Sequence, residues 1–445
     1  MLKHAYARWM RITALATALL TLVPAGRLAA ERRQVSVESL VYDLNHPDPL
    51  RRQAAARELG IAKVQAATPK LVALAHDPVG MVRREVELAL EQMEDMQALP
   101  GFVAFATDSE SDIRARAVGS IVKMHLPRAS GVGAALTKLG ELITPAVDQD
   151  ASLVVEPDVH IDPSVVPTLR ARIVDPERRI RRTAIRGLGI LRAEPAVPDL
   201  LQVAREDRDD TLRFEAVRSV RKIADDSIGD DLVGLLNVSS DTVRNELMRT
   251  LGSMRYRGAV PDLTRIVEQA TRIDTPCILA LSALADIADP SSTALFDRFK
   301  ADKNEMMRLY ANEGIARTAN TNLKTTVSAA RLAEKSPLVR SAQAFALLRM
   351  GQGEYLDELV RGLDSWTTRE LSKEYLLETP AADRPALFAP RTVKSTTRAE
   401  LADVMGLMGD PNALPTLQEM VRDKDSDVAR AAERALRRIN VTAGQ

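Results

Sequence analysis

The stretch that decides the fold is Asp-Pro-Leu-Arg-Arg-Gln-Ala-Ala-Ala-Arg-Glu-Leu-Gly at residues 48–60, because similar stretches return along the chain. Residues 77–83 again place Asp-Pro ahead of a Val-Arg pair, and residues 175–181 place Asp-Pro ahead of Ile-Arg. A sequence that returns to the same pattern of charged, apolar and corner residues is typical of a protein built from structural repeats.

The arginines of these stretches give the period. Arg51, taken as the first, is followed by Arg83 after 32 residues and by Arg114 after a further 31. Later members of the series are Arg181, Arg213, Arg244, Arg308, Arg340, Arg369 and Arg398. A spacing of about 31 residues is long enough for one pair of short helices and the corners that join them.

A second element recurs between these stretches, a proline followed two residues later by leucine, as in Pro69-Lys70-Leu71 and Pro198-Asp199-Leu200. Proline fits the first turn of a helix, where its missing N–H costs no hydrogen bond. Each period is therefore predicted to hold a first helix that opens at the proline and a second helix that runs from the Val-Arg pair to Leu-Gly. We expect the Asp to cap the second helix and the Gly to end it in a left-handed conformation.

The pattern Asp-x-x-Val-Arg-x-x-Ala-x-x-x-Leu-Gly resembles the HEAT-repeat family, in particular its short-repeat subclass, which also occurs in phycobilin lyases. The resemblance covers residues 36–440, with blocks of repeats expected at 36–126 and 165–440. It implies an all-α fold, a right-handed α-solenoid of about twelve two-helix repeats, with the second helices on the concave side. Because one hairpin buries too little apolar surface alone, the repeats must stack to be stable.

Residues 127–164 interrupt the repeats and are expected to form an irregular insertion. A helix is predicted over 132–143, and residues 153–161 are expected to form either a small hairpin or an extended loop. The part from 146 to 164 has no Lys or Arg but carries Asp148, Asp150, Glu156, Asp158, His160 and Asp162. Several carboxylates suit a divalent cation, but the spacing matches no EF-hand loop. We therefore favour a solvated acidic loop and assign no metal ligand or cofactor; an exposed edge that recruits a partner strand is a further alternative.

The first thirty residues have the layout of a secretory signal peptide. A basic start, with Arg8 and Arg11, precedes the uncharged run 12–23, and small residues at Ala25 and Ala30 offer cleavage sites. The run is shorter than the roughly 20 residues that cross a bilayer as a helix. We therefore expect a periplasmic or secreted protein without stable membrane insertion, and the richness in Ala and Arg favours a bacterial source. A retained leader that anchors the chain to the inner membrane is the alternative.

Composition and motifs argue against several classes of function. The 61 Lys and Arg residues balance 61 Asp and Glu residues, so the chain lacks the basic excess of a nucleic-acid-binding protein. One cysteine excludes an internal disulfide framework. No nucleophile elbow, phosphate loop or zinc-protease motif is present. None of the five histidines is followed by Glu, whereas the HEAT-repeat enzyme deoxyhypusine hydroxylase builds its di-iron site from His-Glu pairs. No catalytic residue is expected.

The recurring Asp and Arg residues, such as Asp77 with Arg83 and Asp175 with Arg181, are interpreted as structural. We expect them to cap helices and to join neighbouring repeats through charge-assisted hydrogen bonds. Partner-binding residues are instead sought among the other polar positions of the second helices, on the concave face. The candidates are Arg84, Glu87, Arg182, Arg186, Arg218 and Arg249.

The function predicted from the sequence is that of an exported, non-catalytic scaffold that binds a protein partner along its concave surface. Residues 170–257 carry eighteen Lys and Arg against fifteen Asp and Glu, a mild excess that favours an acidic protein segment. Trp366 is expected to fill a gap between imperfect repeats, or alternatively to anchor an interface. Two other functions stay open: an enzyme or enzyme subunit with a metal or ligand site at 146–164, and a membrane-tethered assembly factor.

Overall fold

A computed structural model describes residues 36–126, 153–155, 159–223, 226–237 and 239–443, and no residue of these ranges lies in a β-strand. The helices of these ranges alternate between short and long and form twelve pairs, which confirms the expected number of repeats. The first helices are α1 (Val37–Asp43), α3 (Thr68–Ala73), α5 (Leu99–Phe105), α7 (Val165–Arg172), α9 (Val197–Glu206), α11 (Gly229–Leu235), α13 (Val260–Gln269), α15 (Thr293–Phe299), α17 (Lys324–Ala333), α19 (Leu356–Gly362), α21 (Arg384–Phe388) and α23 (Leu414–Met420). The second helices are α2 (Pro49–Ile61), α4 (Gly80–Met93), α6 (Ser111–Lys123), α8 (Arg178–Ile190), α10 (Asp210–Ile223), α12 (Asp241–Ser253), α14 (Thr275–Ile287), α16 (Glu305–Thr318), α18 (Pro337–Arg349), α20 (Arg369–Leu377), α22 (Ser395–Met408) and α24 (Ser426–Ala443).

The local sequence signals account for how the helices begin. Prolines such as Pro69 and Pro198 stand in the first turn of their first helices, as predicted. A 3-10 turn leads into most first helices and turns the chain at the corner. The corner Asp accepts the backbone N–H two residues later, as Asp77 does from Val79 at 2.9 Å, and this bond fixes the entry to the second helix.

The repeats stack mainly through their second helices. Within each unit, most second helices pack against the first helix of their own repeat and against the second helix of a neighbouring repeat, as α14 does with α13 and α16. The stripe that is buried this way consists of Ala, Leu, Val and Ile side chains. Because neighbouring repeats within each unit stack in this way and bury the same kind of stripe, the architecture is an all-α solenoid.

The Leu-Gly glycines differ from the sequence expectation. They lie inside the second helices and do not form left-handed caps. A Cβ atom at Gly60 would lie 2.6 Å from Cα of Ala89; Gly406, which follows Met405 at a similar place in α22, would bring a Cβ atom within 2.6 Å of Cα of Ala435. Both contacts are made with the next second helix, so the glycines permit two helix backbones to approach closely. The left-handed positions lie further along, for example at Lys63 and Arg192.

The insertion does not separate the repeats on either side of it. Nε of Arg114 in α6 donates to Oδ2 of Asp175, in the corner before α8, at 2.9 Å. The repeat that contains α7 and α8 therefore follows directly on that of α5 and α6. Leu153–Val155 and residues 159–162 form neither strand nor helix, so the described part of this stretch does not show the hairpin. The helix predicted over 132–143 and the carboxylates Asp148, Asp150, Glu156 and Asp158 lie outside the described residues, as does the predicted signal peptide at 1–30.

The chain divides into two compact units. Among the described residues, unit 1 consists of 36–126, 155 and 159–187, and unit 2 consists of 153–154, 188–223, 226–237 and 239–443. This division falls within α8 and does not follow the blocks expected from the sequence. Among the described residues, every helix is too short or too polar to traverse a bilayer.

Candidate partner-binding surface

The recurring arginines join consecutive repeats. Nε and Nη2 of Arg83 in α4 donate to the two carboxylate oxygens of Asp108 at 2.6 and 2.9 Å, and Asp108 belongs to the next corner. Nη1 of Arg83 donates to the carbonyl oxygen of Asp77 at 3.0 Å, in the corner of its own repeat. One guanidinium thus ties two successive corners together through a planar, two-pronged ion pair.

The same arrangement recurs along the chain, and we call it the arginine ladder. Its members with a two-pronged carboxylate contact are Arg52 with Asp77, Arg83 with Asp108, Arg114 with Asp175, Arg308 with Glu334 and Arg398 with Asp423. The predicted role in joining neighbouring repeats is therefore confirmed, whereas the predicted capping holds for Asp48 at the start of α2 but not for Asp77, because the N-cap of α4 is Val79. Two details of the pairing are wrong. The first member of the ladder is Arg52 and not Arg51, and each arginine pairs with a carboxylate of the next repeat and not with that of its own repeat.

Four of the ladder carboxylates, Asp108, Asp175, Glu334 and Asp423, have lowered pKa values, which favours their charged form. Burial alone would raise the pKa of Asp108, but the Arg83 guanidinium and the backbone N–H of Glu110 together lower it. The Asp108 side chain is almost fully buried in this bond. Because its oxygens already accept hydrogen bonds within the stack, Asp108 belongs to the machinery that holds the repeats together.

The second-helix surface, by which we mean the polar side chains of the second helices outside the ladder, is a separate set. In unit 1, Arg84 of α4 is half exposed and pairs with Glu110. Glu87 of the same helix pairs with Arg116 of α6, with Nε to Oε2 at 3.0 Å. These ion pairs fix the directions of the side chains before any partner arrives.

Glu87 does not have the solvated position that the sequence suggested. Its exposed fraction is 0%, and Oε1 has no hydrogen-bond partner within the described residues. Burial raises the pKa of Glu87 to about 7 in spite of the attraction of Arg116. The carboxyl therefore lies under the surface, where it supports Arg116.

The other four candidates lie in both units. Arg182 and Arg186 of α8 are half-buried in unit 1. In unit 2, Arg218 of α10 is buried, with its guanidinium 5.5 Å from the centre of the Phe214 ring, so it too departs from a solvated position. Arg249 of α12 has 46% of its side chain exposed and pairs with Glu246. Arg84 and Arg249 thus present the more accessible guanidinium groups among the six.

Sequence reasoning missed a cluster of charged side chains in unit 2, which we call the Arg317 cluster: Arg317, Asp286, Glu313, Glu374 and Glu378. The guanidinium of Arg317 in α16 lies 2.9 Å from Asp286 of α14 and 3.0 Å from Glu378, the residue after α20. Glu374 at 3.3 Å and Glu313 at 3.6 Å complete the set. One cation therefore bridges side chains from three second helices.

The cluster holds more carboxylates than its central guanidinium can neutralise. The hydroxyl of Tyr375 donates to Oε1 of Glu313 at 2.6 Å, beneath the second-helix surface. Burial raises the pKa of Glu313 to about 7, although Arg317 and the Tyr375 hydroxyl pull it down. Burial likewise raises the pKa of Asp286. Near neutral pH, Glu313 therefore exchanges a proton, which relieves the repulsion between the carboxylates.

The remaining candidates from the sequence have simple positions. Trp366 has an exposed fraction of 89%, so it does not fill a gap between repeats. Cys277 is buried in α14. Within the described part of the chain, no three His, Cys, Asp or Glu side chains are grouped in a way that would hold a metal ion. His125 is buried, and its Nδ1 lies 2.8 Å from the carbonyl oxygen of Ile121.

The stacked helix pairs, with their polar second-helix surface, define a helical-repeat protein of the solenoid class. The family model described as HEAT repeats matches residues 32–130, 145–221 and 197–282. The chain therefore belongs to the HEAT-repeat family, as the resemblance implied.

Individual relatives are distant. Deoxyhypusine hydroxylase-B from Oryza sativa subsp. japonica is 24% identical over 241 residues, which cover 52% of this chain and 75% of that protein. Importin beta is 10% identical with a TM-score of 0.42, over 91% of this chain and 57% of that structure. The complex of CpcE and CpcF of phycocyanin lyase from a Nostoc species is 19% identical with a TM-score of 0.27, over 64% of this chain and 96% of that structure.

Proposed function

We propose that the chain is an exported, non-catalytic HEAT-repeat scaffold that binds a protein partner along its second-helix surface. The observation that carries the proposal is that the arginines of the second helices have two kinds of surroundings. The ladder arginines are used within the stack, whereas Arg84 and Arg249 keep about half of their side chains exposed and are held in direction by Glu110 and Glu246. Arginine is favoured at the centres of protein interfaces, and side chains fixed in advance lose little freedom on binding.

A capture experiment tests this proposal. The tagged full chain is cross-linked in its native host, and the partner recovered with the wild type is quantified for Arg249→Ala. Arg265→Ala is the matched control, because Arg265 has 43% of its side chain exposed and also pairs with an acidic residue three positions earlier, but on a first helix. We expect a loss of partner of about tenfold for Arg249→Ala, equivalent to about 1.4 kcal/mol, and none for the control. Equal recovery with both variants would refute the proposed surface.

Export is a separate part of the proposal. It rests on the basic start, the apolar run and the small residues of positions 1–30. Sequencing the N-terminus of the protein from the envelope fraction should place it just after Ala25 or Ala30. A first residue of Met1 in a membrane-bound form would instead favour the tethered assembly factor.

An enzyme is the second candidate, because a curated relative carries the name of a hydroxylase. None of the histidines of this chain is followed by Glu, so the His-Glu pairs of a di-iron hydroxylase site are not matched. The place left for a metal or ligand site is the insertion at 146–164. Metal analysis of the purified full chain separates the two functions: stoichiometric, tightly bound metal would favour the enzyme, and its absence after metal-supplemented purification would favour the scaffold.

A further inference from the structure

Arg51 of α2 has no part in the arginine ladder, which begins at the next residue, Arg52. The Arg51 side chain is exposed, and so is that of Glu58 on the same helix. Within the described residues, neither side chain forms an ion pair or a side-chain hydrogen bond. The neighbouring Arg57 is already paired with both carboxylate oxygens of Glu85 in α4, at 3.0 and 2.7 Å. Helix α2 therefore carries one free base and one free acid, seven residues apart.

The corresponding positions of the following second helix are covered by the repeat that precedes it. The shift of 31 residues that relates the ladder arginines of α2 and α4 takes Arg51 to Val82 and Glu58 to Ala89. Val82 is 0% exposed and Ala89 is 2% exposed, and the close approach of Gly60 to Ala89 shows that α2 covers this side of α4. In the described part of the chain no repeat precedes that of α2, so the same side of α2 is uncovered.

Large apolar side chains lie next to these charges. Leu50 is 60% exposed and Ile61 is 62% exposed, at the two ends of α2, and the small residue Ala54 is exposed between them. With about 3.6 residues per turn, these three residues fall within roughly 40° of one another around the helix, and Glu58 and Arg51 follow roughly 40–60° beyond Ala54. We call these five residues the α2 face. It has an apolar edge and a charged edge, with a small residue between them.

The α2 face is complementary to itself. When two copies of α2 pack antiparallel about a two-fold axis near Ala54, each edge meets the same edge of the other copy in the reverse direction. Arg51 then lies opposite Glu58 of the second copy, and Leu50 lies opposite Ile61. The small alanine side chains permit the usual helix separation of about 8–10 Å. A parallel pairing about a two-fold axis would instead set the charged edge against the apolar edge.

We propose that a second copy of this chain docks on the α2 face, so that the protein forms a dimer with two-fold symmetry. A second copy supplies an acid for Arg51 and a base for Glu58 at the required spacing of seven residues, and it covers the exposed Leu50 and Ile61 at the same time. The inference does not depend on the identity of the protein partner or on the proposed contacts of Arg84 and Arg249.

Sedimentation velocity of the full chain over a range of concentrations tests the association directly. We expect a reversible dimer with a dissociation constant on the order of 10 µM, because one helix pair is smaller than a standard interface. A chain that stays monomeric up to about 100 µM would overturn the inference. The α2 face would then be left to a different protein or to residues that precede α1.

Charge reversal tests the antiparallel register. Arg51→Glu and Glu58→Arg should each weaken self-association about tenfold or more, because the symmetry makes each substitution bring two pairs of like charges together. In an equimolar mixture of the two variants, every charge of one chain again meets its opposite in the other, so association should return to within about threefold of the wild type. This recovery also shows that both variants are folded.

Two further variants complete the test. Ile61→Ser removes part of the apolar edge and should weaken the dimer as well. Lys70→Glu is the matched control, because it makes the same change of charge at an exposed position on the first helix α3, and it should leave the association unchanged. Wild-type association by Arg51→Glu and Glu58→Arg, or a mixture that does not recover, would overturn the inference.

Discussion

Replacing Glu313 by Gln should make the chain more stable at alkaline pH and leave its stability nearly unchanged at acidic pH. Glutamine keeps the shape of the protonated carboxyl and still accepts the hydrogen bond of Tyr375, but it cannot become charged. The pKa of Glu313 is raised from 4.5 to about 7 by burial, against the attraction of Arg317. Between pH 4.5 and about pH 7, the Glu313 carboxyl therefore keeps its proton in the folded protein and loses it in the unfolded chain.

The sign and size follow from this difference. Because the folded pKa lies above the unfolded one, the contribution of Glu313 to stability is fully present below pH 4.5 and is lost as pH rises through about 7. Each unit of pKa difference corresponds to about 1.4 kcal/mol, so the variant should gain on the order of 3 kcal/mol over the wild type at high pH.

Urea unfolding of the wild type and Glu313→Gln gives the difference between their free energies of unfolding at about pH 5 and at about pH 8.5. The change in that difference between the two pH values measures the gain. Glu370→Gln serves as the control, because the Glu370 side chain is 82% exposed on α20 and pairs with Lys373. We expect no pH-dependent gain for the control. A Glu313→Gln effect that is the same at both pH values, or a variant that is less stable at alkaline pH, would refute the reasoning about the Arg317 cluster.

Three further predictions concern other parts of the chain. Trp366→Ala should change the free energy of unfolding by less than about 0.5 kcal/mol, because the side chain is largely exposed; a larger loss in urea unfolding would show that it packs. Gly406→Ala should lower the free energy of unfolding by about 1–3 kcal/mol, because its Cβ would collide with Ala435. Gly119→Ala, whose Cβ would meet no atom within 4 Å, should raise the free energy of unfolding by up to about 1 kcal/mol. Equal effects of the two variants would contradict the close helix approach. The Arg398 guanidinium lowers the pKa of Asp423, so the contribution of Asp423 to stability is present above the unfolded pKa of 3.8 and is lost as pH falls through the folded pKa. Asp423→Asn should therefore destabilise the chain at neutral pH and progressively less in acid. A loss of stability that does not depend on pH would argue against the ion pair.

The sequence was sufficient to predict the repeats and their two helices, because each signal acts locally. Proline in a first turn and Asp at a corner shape the backbone of their own neighbourhood, so their meaning survives without knowledge of the partners. The ladder partners were misassigned because Asp77 is close to Arg83 in sequence, whereas in the fold its carboxylate forms an ion pair with Arg52. A separation of 25 residues, shared by Arg52 with Asp77, Arg83 with Asp108 and Arg398 with Asp423, is the signal that would have identified these three pairs.

The surface groups were harder to predict for a physical reason. Residues three positions apart lie near each other on a helix, and the neighbouring helix determines which of them it covers. For this reason Glu87 is buried while Arg84 is half exposed. The Arg317 cluster joins the adjacent repeats of α14 and α16 to Glu374 and Glu378, which belong to the repeat two places after that of α16, with no fixed spacing between them.

The claim on which the account depends most is that the arginine ladder, rather than apolar packing alone, joins neighbouring repeats at the five places where its ion pairs form. A double-mutant cycle on Arg83 and Asp108, with Arg83→Ala, Asp108→Ala and the double variant compared in urea unfolding, measures the coupling between the two side chains directly. The account predicts a stabilising coupling of about 1–3 kcal/mol, within the range found for partners in one buried network. Single-variant effects that simply add, with no coupling, would contradict it.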